Sequence, residues 1–144
     1  MQYLLSLFIL VWVIHSYSWG SPAPAVCNFG DPMFETLSHQ KVHFELPKQF
    51  LVGEDNLVII QLEKPNLPSG YIVSVITDNI KTPKKKPELQ GWYPRTIIKP
   101  LEKGVHEISL QVNLIYKSSW GGIQVASMAK TKIVFTARWM KNGE

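Results

Sequence analysis

The stretch His106-Glu107-Ile108-Ser109-Leu110-Gln111-Val112-Asn113-Leu114 decides the fold class of this 144-residue chain. Its apolar residues and its histidine occupy every second position, and polar residues fill the positions between them. Because successive side chains of a β-strand point to opposite faces, this alternation predicts a strand with one buried face and one exposed face. Residues 42–46 and 132–139 repeat the pattern and are predicted to be strands of the same kind.

Further strands are expected between turn-forming residues. Residues 56–63 contain the run Leu57-Val58-Ile59-Ile60, which is apolar on both faces as in a central strand, and residues 71–77 are rich in β-branched side chains. Residues 95–99 and 123–128 predict two shorter strands. The interval from residue 78 to residue 94 contains three prolines and is predicted to be a long loop.

These patterns indicate an all-β fold of about seven antiparallel strands without a convincing amphipathic helix. We expect an immunoglobulin-like β-sandwich over residues 41–144. The two-cysteine signature of true immunoglobulin domains is absent, because Cys27 is the one cysteine of the chain. An eight-stranded barrel with a ligand cavity is the alternative architecture.

Residues 1–20 predict a cleaved signal peptide, and therefore a secreted, extracellular protein. They contain no Lys, Arg, Asp or Glu, and their apolar run over residues 4–14 is shorter than the roughly 20 residues that span a bilayer. Ser18-Trp19-Gly20 offers small residues for signal peptidase, with Ser16-Tyr17-Ser18 as a second candidate. An uncleaved anchor or a buried strand is the alternative. Residues 21–40 are expected to be an extended lead-in, and no transmembrane segment is expected.

The positive charge of the chain is concentrated in one segment. The formal net charge is +4, and residues 81–99 hold six basic side chains against Glu88 alone. Prolines on both sides of the run Lys84-Lys85-Lys86 predict an extended, exposed loop, and clustered ammonium groups attract anionic glycans or lipid headgroups. A flexible solubilising loop is the alternative. The candidate binding residues are Lys81, Lys84, Lys85, Lys86, Trp92, Tyr93, Arg95, Lys99 and Trp120.

Two of the aromatic candidates, Trp92 and Trp120, fall in predicted loops and are candidate stacking surfaces for sugars. Trp139 alternates with apolar residues of the last predicted strand, so we expect it to be buried.

No residue pattern for catalysis, a metal or a cofactor is present in the sequence. His39 and His43 share a face of a strand but lie about 13 Å apart there, which is too far for one ion. Cys27 has no Cys-His-Met cluster near it, and no Gly-x-Ser-x-Gly motif occurs. We therefore expect no catalytic, metal or cofactor site, and no enzyme. Cys27 is either an inert thiol or paired with another chain.

The segments Phe44-Glu45-Leu46-Pro47 and 51–60 resemble the opening of the first macroglobulin-type domain of thioester proteins, the macroglobulin and complement group. Residues 130–136 resemble the closing strand of that domain, and the likeness extends over residues 42–138. It implies a β-sandwich that serves as a binding or scaffolding module. Thioester chemistry is not implied, because the motif Gly-Cys-Gly-Glu-Gln does not occur.

The sequence therefore predicts a secreted, non-enzymatic binding module that contacts a polyanionic or protein partner through its basic loop. An extracellular protein, an anionic glycan or a membrane surface is the expected partner, and nucleic acid is not expected. The alternative function is a carrier of a small apolar ligand held between two β-sheets.

Overall fold

The computed structural model describes residues 31–119 and 121–141, which form one α-helix and eight β-strands. The predicted signal peptide, residues 21–30 of the predicted lead-in, Cys27 and Trp120 lie outside the described residues. The elements are α1 (Pro32–Ser38), β1 (Val42–Glu45), β2 (Phe50–Leu51), β3 (Asn56–Leu62), β4 (Tyr71–Lys81), β5 (Glu88–Gln90), β6 (Arg95–Lys99), β7 (Gly104–Lys117) and β8 (Ile123–Arg138).

The strands form two four-stranded sheets, which confirms the all-β fold class. One sheet has the order β1-β3-β6-β5 and is antiparallel throughout, and the other has the order β2-β8-β7-β4. The expectation of about seven antiparallel strands is wrong at β2, which runs parallel to β8 with Phe50 opposite Ala137. A stacked contact at 3.9 Å between the rings of Phe50 and Phe135 holds this two-residue strand in place, and so short a strand leaves no alternation to recognise.

One hydrophobic core lies between the inner faces of the two sheets. The inward residues of β7, from His106 to Leu114, are fully buried at every second position, as the alternation predicts. They pack in one cluster with Val58 and Ile60 of β3 and with Ile98 of β6, which are also buried. Because this cluster takes side chains from both sheets, it holds the sheets together by burial of apolar surface.

Strand β8 is continuous over the region where two separate strands are predicted. Between Val112 and Asn113 of β7 the register shifts, so that Ala129 and Ser127 are their partners and Met128 is the extra residue. The side chain of Met128 packs against the core. A bulge of this kind reverses which positions face inward, and the sequence pattern therefore looks as though one strand ended and another began.

The predicted loop over residues 78–94 is partly strand. Strand β4 continues to Lys81, and β5 pairs with β6 at the sheet edge. The prolines at 83, 87 and 94 lie before and after β5 and do not interrupt it. Proline has no N–H to donate to a strand ladder, so it is tolerated beside a short edge strand such as β5.

The predicted extended lead-in is wrong over residues 32–38, which form α1. The Asp31 carboxylate accepts a hydrogen bond from the Met33 amide at 3.0 Å, and Pro32 occupies the first turn. Both features favour a helix start, because the first amides of a helix have no partner within it. The Tyr71 hydroxyl donates to the same carboxylate, which ties the helix start to β4. No helix among the described residues is long and apolar enough to cross a membrane.

Asn56, at the start of β3, joins the turn between β2 and β3 to both neighbouring segments. Its side-chain amide donates to the carbonyl oxygens of Leu51, Glu54 and Ile98 at 3.0, 2.9 and 3.1 Å. Its side-chain oxygen accepts from the Leu51 amide at 2.9 Å, and the residue is 6% exposed. The side chain therefore connects the main chain of β2, of the turn and of β6.

We expect Asn56→Asp to lower the free energy of unfolding by about 3 kcal/mol, because a carboxylate cannot donate to the three carbonyl oxygens that the Asn56 amide contacts, of which that of Ile98 is buried. The exposed neighbour provides a matched control, since Asp55→Asn makes the reverse change one position away and is expected to stay within about 0.5 kcal/mol of the wild type. Urea denaturation measures both. Equal midpoints for the two variants would show that the Asn56 hydrogen bonds do not hold the turn.

Candidate functional site

The predicted basic loop is an ordered turn, here called the lysine turn, over residues 82–87 between β4 and β5. The side chains of Lys84, Lys85 and Lys86 are exposed, and Lys81 precedes them at the exposed end of β4. The Glu102 carboxylate accepts hydrogen bonds from the main-chain amides of Lys84 and Lys85 at 3.0 and 2.9 Å. One carboxylate oxygen thus holds the main chain of the turn. The ammonium groups of its lysines take no part in these two hydrogen bonds.

Glu102 is itself anchored to the core through the turn that joins β6 to β7. The Nε2 atom of His106 donates to the Glu102 carbonyl oxygen at 2.9 Å. The His106 ring is fully buried and is stacked on Phe135 with 5.2 Å between the ring centres. The lysine turn is therefore connected by two successive hydrogen-bonded contacts to a side chain inside the core.

Gly104 allows the two turns to pack closely. It has a φ of +131°, and a Cβ atom at this position would lie 3.1 Å from the Cγ atom of Pro83 in the lysine turn. A side chain at residue 104 would therefore be strained and would press against Pro83.

The amides of the lysine turn also change the acidity of Glu102. The hydrogen bond from Lys85 is the largest influence, and together with the hydrogen bond from Lys84 and the charges of both lysines it holds the pKa of the Glu102 carboxyl below its ordinary value of 4.5. Partial desolvation acts in the opposite direction and is outweighed. These groups favour the charged carboxylate, which is the form that accepts both hydrogen bonds.

Glu102 and Lys103 were not among the residues predicted from the sequence. Lys103 is exposed and adjoins Glu102, so the fold adds a fifth ammonium group to those of Lys81 and the three lysines of the turn. Glu102 lies 17 and 18 positions from the amides that it binds. No local pattern signals such a contact, because it depends on how β6 and β7 are placed.

Of the other predicted site residues that the structure describes, the fold places Lys99 near the lysine turn and separates the rest from it. The β5–β6 register places Glu88 opposite Lys99 and Gln90 opposite Ile97, so Lys99 lies at the end of β6 near the lysine turn. Arg95 begins β6 at its other end, about 13 Å away for a strand of this length. Trp92 and Tyr93 precede Arg95 and belong to that distant end. Trp120 lies outside the described residues.

Residues 91–94 form a second feature, here called the aromatic turn, which faces the first half of β4. Trp92 is 71% exposed, as predicted, whereas Tyr93 is half-buried and its burial raises the pKa of its hydroxyl. Between the aromatic turn and β4 lies an open cleft of about 490 Å³. The expectation that Trp139 is buried is wrong, because β8 ends at Arg138 and Trp139 is 61% exposed beyond it.

The ammonium groups of the lysine turn form no ion pair with a carboxylate of the described residues. An ion pair joins Lys132 to Glu107 at 3.2 Å, but among residues 31–119 and 121–141 no carboxylate lies within ion-pair distance of the ammonium groups of the turn. No three His, Cys, Asp or Glu side chains of these residues are grouped so that they could hold a metal ion. The arrangement is suited to attracting an anion at a surface.

No protein-family model, curated protein or solved structure matches this chain. The resemblance of residues 42–138 to a macroglobulin-type domain therefore stays a prediction. A function can therefore be proposed only from the geometry and charge of the described residues.

We expect the amide resonances of Lys84 and Lys85 to titrate with a midpoint below pH 4.5, the ordinary value for a glutamate. The pKa of Glu102 is lowered in the folded chain. The stabilisation that the charged carboxylate gives to the fold is therefore fully present above the ordinary pKa of 4.5 and is lost as the pH falls through the folded pKa. Two-dimensional NMR of labelled protein measures the shifts. Glu102→Gln serves as the control and should remove the transition, and a midpoint at or above 4.5 in the wild type would contradict the two hydrogen bonds.

Proposed function

We propose that this protein is a secreted, non-enzymatic binding module that holds a sulfated glycan at the lysine turn. The observation that carries the proposal is the pair of hydrogen bonds from Lys84 and Lys85 to Glu102. They hold the main chain of the turn, and five exposed lysines lie in the turn, next to it in the chain or next to Glu102, namely Lys81, Lys84, Lys85, Lys86 and Lys103.

A turn whose main chain is already held in place binds at a lower entropic cost than a flexible loop. Ordering one residue costs about 1–2 kcal/mol, so a free six-residue loop would lose much of its binding energy on becoming ordered. In the lysine turn this ordering is supplied by Glu102 before the partner arrives. The attraction between exposed ammonium groups and sulfates is weakened by salt, so the binding should depend on ionic strength.

The proposed architecture is an immunoglobulin-like β-sandwich of the macroglobulin type over residues 41–144, behind a signal peptide at residues 1–20. Two four-stranded sheets around a shared core support the sandwich. The likeness of residues 51–60 to a macroglobulin-type strand pair supports the family. A secreted domain of this kind would present its loops to extracellular partners, since loops at the ends of sandwiches carry most of their binding sites.

Transport of an apolar ligand between the sheets is less well supported by the structure. Ile60, Ile98, Ile108, Leu110 and Leu114 are among the largest side chains with less than 2% exposure, and they occupy the space between the inner faces. A ligand there would have to displace side chains of a close-packed core. We therefore place the binding activity at the surface.

Heparin chromatography tests the proposal directly. We expect the wild type to be retained at physiological salt, and the triple variant K84Q/K85Q/K86Q to elute at roughly half the salt concentration of the wild type, because three of the five ammonium groups are lost. The control K48Q/K130Q/K141Q also removes three positive charges from exposed positions outside the turn and should elute close to the wild type.

Equal shifts for the two triple variants would show that only net charge matters, and a wild type in the flow-through would overturn the proposal. Binding of the protein to vesicles of anionic phospholipid is measured as a second test. Binding to vesicles without binding to heparin would assign the lysine turn to a membrane surface and would contradict the glycan.

A further inference from the structure

Among the described residues, no strand pairs with one edge of the first half of β4. Its other edge pairs with β7, and the Gly70 carbonyl oxygen accepts from the Lys117 amide at 3.0 Å on that side. The Val75 carbonyl oxygen faces the opposite way, toward Gly91. Because main-chain groups of successive strand residues point alternately to the two edges, those of Tyr71, Val73 and Val75 point away from β7.

The open cleft runs along this edge. Residues 71–75 form one side of it, and Leu67 and the aromatic turn form the rest. The side chain of Val73 belongs to the core, and the whole residue is 9% exposed. What Val73 offers to the cleft is therefore its main chain, an N–H and a C=O for which no strand of the described residues provides partners.

Gly91 sets the end of the cleft. A Cβ atom at this position would lie 2.3 Å from the Val75 carbonyl oxygen, so only glycine lets the aromatic turn approach β4 so closely. The turn meets the edge at Val75, and the Tyr71 N–H donates to the Pro68 carbonyl oxygen at 3.3 Å, so the main chain of Val73 lies between these two contacts. Apolar side chains border the cleft here, since Trp92 is 71% exposed and Ile72 is 60% exposed.

We propose that this cleft binds an extended peptide segment of a partner protein, which adds to the edge of β4 as a further strand. The Val73 N–H and C=O would pair with its main chain, and an apolar side chain of the peptide would pack against Trp92 and Leu67. A lipid or another apolar small molecule would cover the Val73 groups without giving them hydrogen bonds, at a cost in free energy.

Charge complementarity defines the ends of the peptide. Lys64 and Arg95 are exposed, and in the chain they lie three residues before Leu67 and two residues after Tyr93, which line the cleft. The nearby Asp31 carboxylate is occupied by hydrogen bonds from Tyr71 and Met33. An apolar β-strand segment with acidic residues at its ends therefore fits this surface best.

This site goes beyond the glycan site proposed at the lysine turn. Val73 and Lys81, which directly precedes that turn, are eight residues apart in one strand, or about 26 Å. The two surfaces would therefore bind their partners independently, and an experiment can contradict one proposal without contradicting the other.

The test uses the labelled full chain and an acetylated, amidated peptide of sequence Glu-Thr-Val-Thr-Val-Thr-Glu. Titration should shift the Val73 amide and the Trp92 indole resonances. Two complementary peptides carry N-methyl groups on the valines or on the threonines, and each blocks one edge of the strand. Strand addition requires that one of them binds like the parent and that the other does not bind.

Trp92→Ala should weaken binding about tenfold or more, because an exposed tryptophan at a binding surface commonly carries much of the affinity. The control Trp139→Ala removes a tryptophan of similar exposure, 61% against 71%, outside the cleft and should leave the affinity unchanged. K84Q/K85Q/K86Q should also bind the peptide like the wild type, whatever it does on heparin.

Equal binding of both N-methylated peptides, or no shift of Val73 at millimolar peptide, would overturn the proposal. Concentration-dependent dimerisation that broadens the Val73 resonance without peptide would also overturn it, because the edge would then be occupied by a second copy of this chain.

Discussion

The structure depends on the row of side chains that β7 buries between the two sheets. Ile108, Leu110, Val112 and Leu114 have no exposed surface, and β7 lies between β8 and β4 in its own sheet. A slip of one residue in the pairing of β7 would expose the whole row and bury Glu107 and Gln111 instead. Apolar burial on one face therefore determines the register of three strands at once.

The same constraint positions the candidate site. The buried row begins at His106, whose ring stacks on Phe135 and whose Nε2 atom donates to the main chain of Glu102. The Glu102 carboxylate then binds the main chain of Lys84 and Lys85. Because each contact follows from the one before it, the geometry of an exposed turn is determined from inside the core.

Much of the fold follows from alternation alone, and the exceptions have physical causes. The bounds of β6 agree with the predicted strand at residues 95–99, and the alternating row of β7 is buried as predicted. The bulge at Met128 concealed the continuity of β8, because it reverses the inward and outward positions. Helix α1 was missed because its seven residues are too few to show a helical period, although Asp31 and Pro32 mark its start.

The candidate site was predictable only in part. The exposure of the lysines at 84–86 and of Trp92 follows from their proline-rich surroundings. The anchoring by Glu102 does not, because that contact joins two turns that are distant in the chain. The separation of Arg95 from the lysine turn depends on the β5–β6 register, and three residues of β5 carry too little pattern to predict it.

The most direct measurement is a residue-by-residue map of where a heparin-derived hexasaccharide binds the labelled protein in NMR titration. A fixed lysine turn predicts that the largest shifts fall on the amides of residues 81–86 and 102–103, with those of β8 unchanged. Shifts spread over all exposed lysines, or centred on Lys130 and Lys132 of β8, would contradict the account.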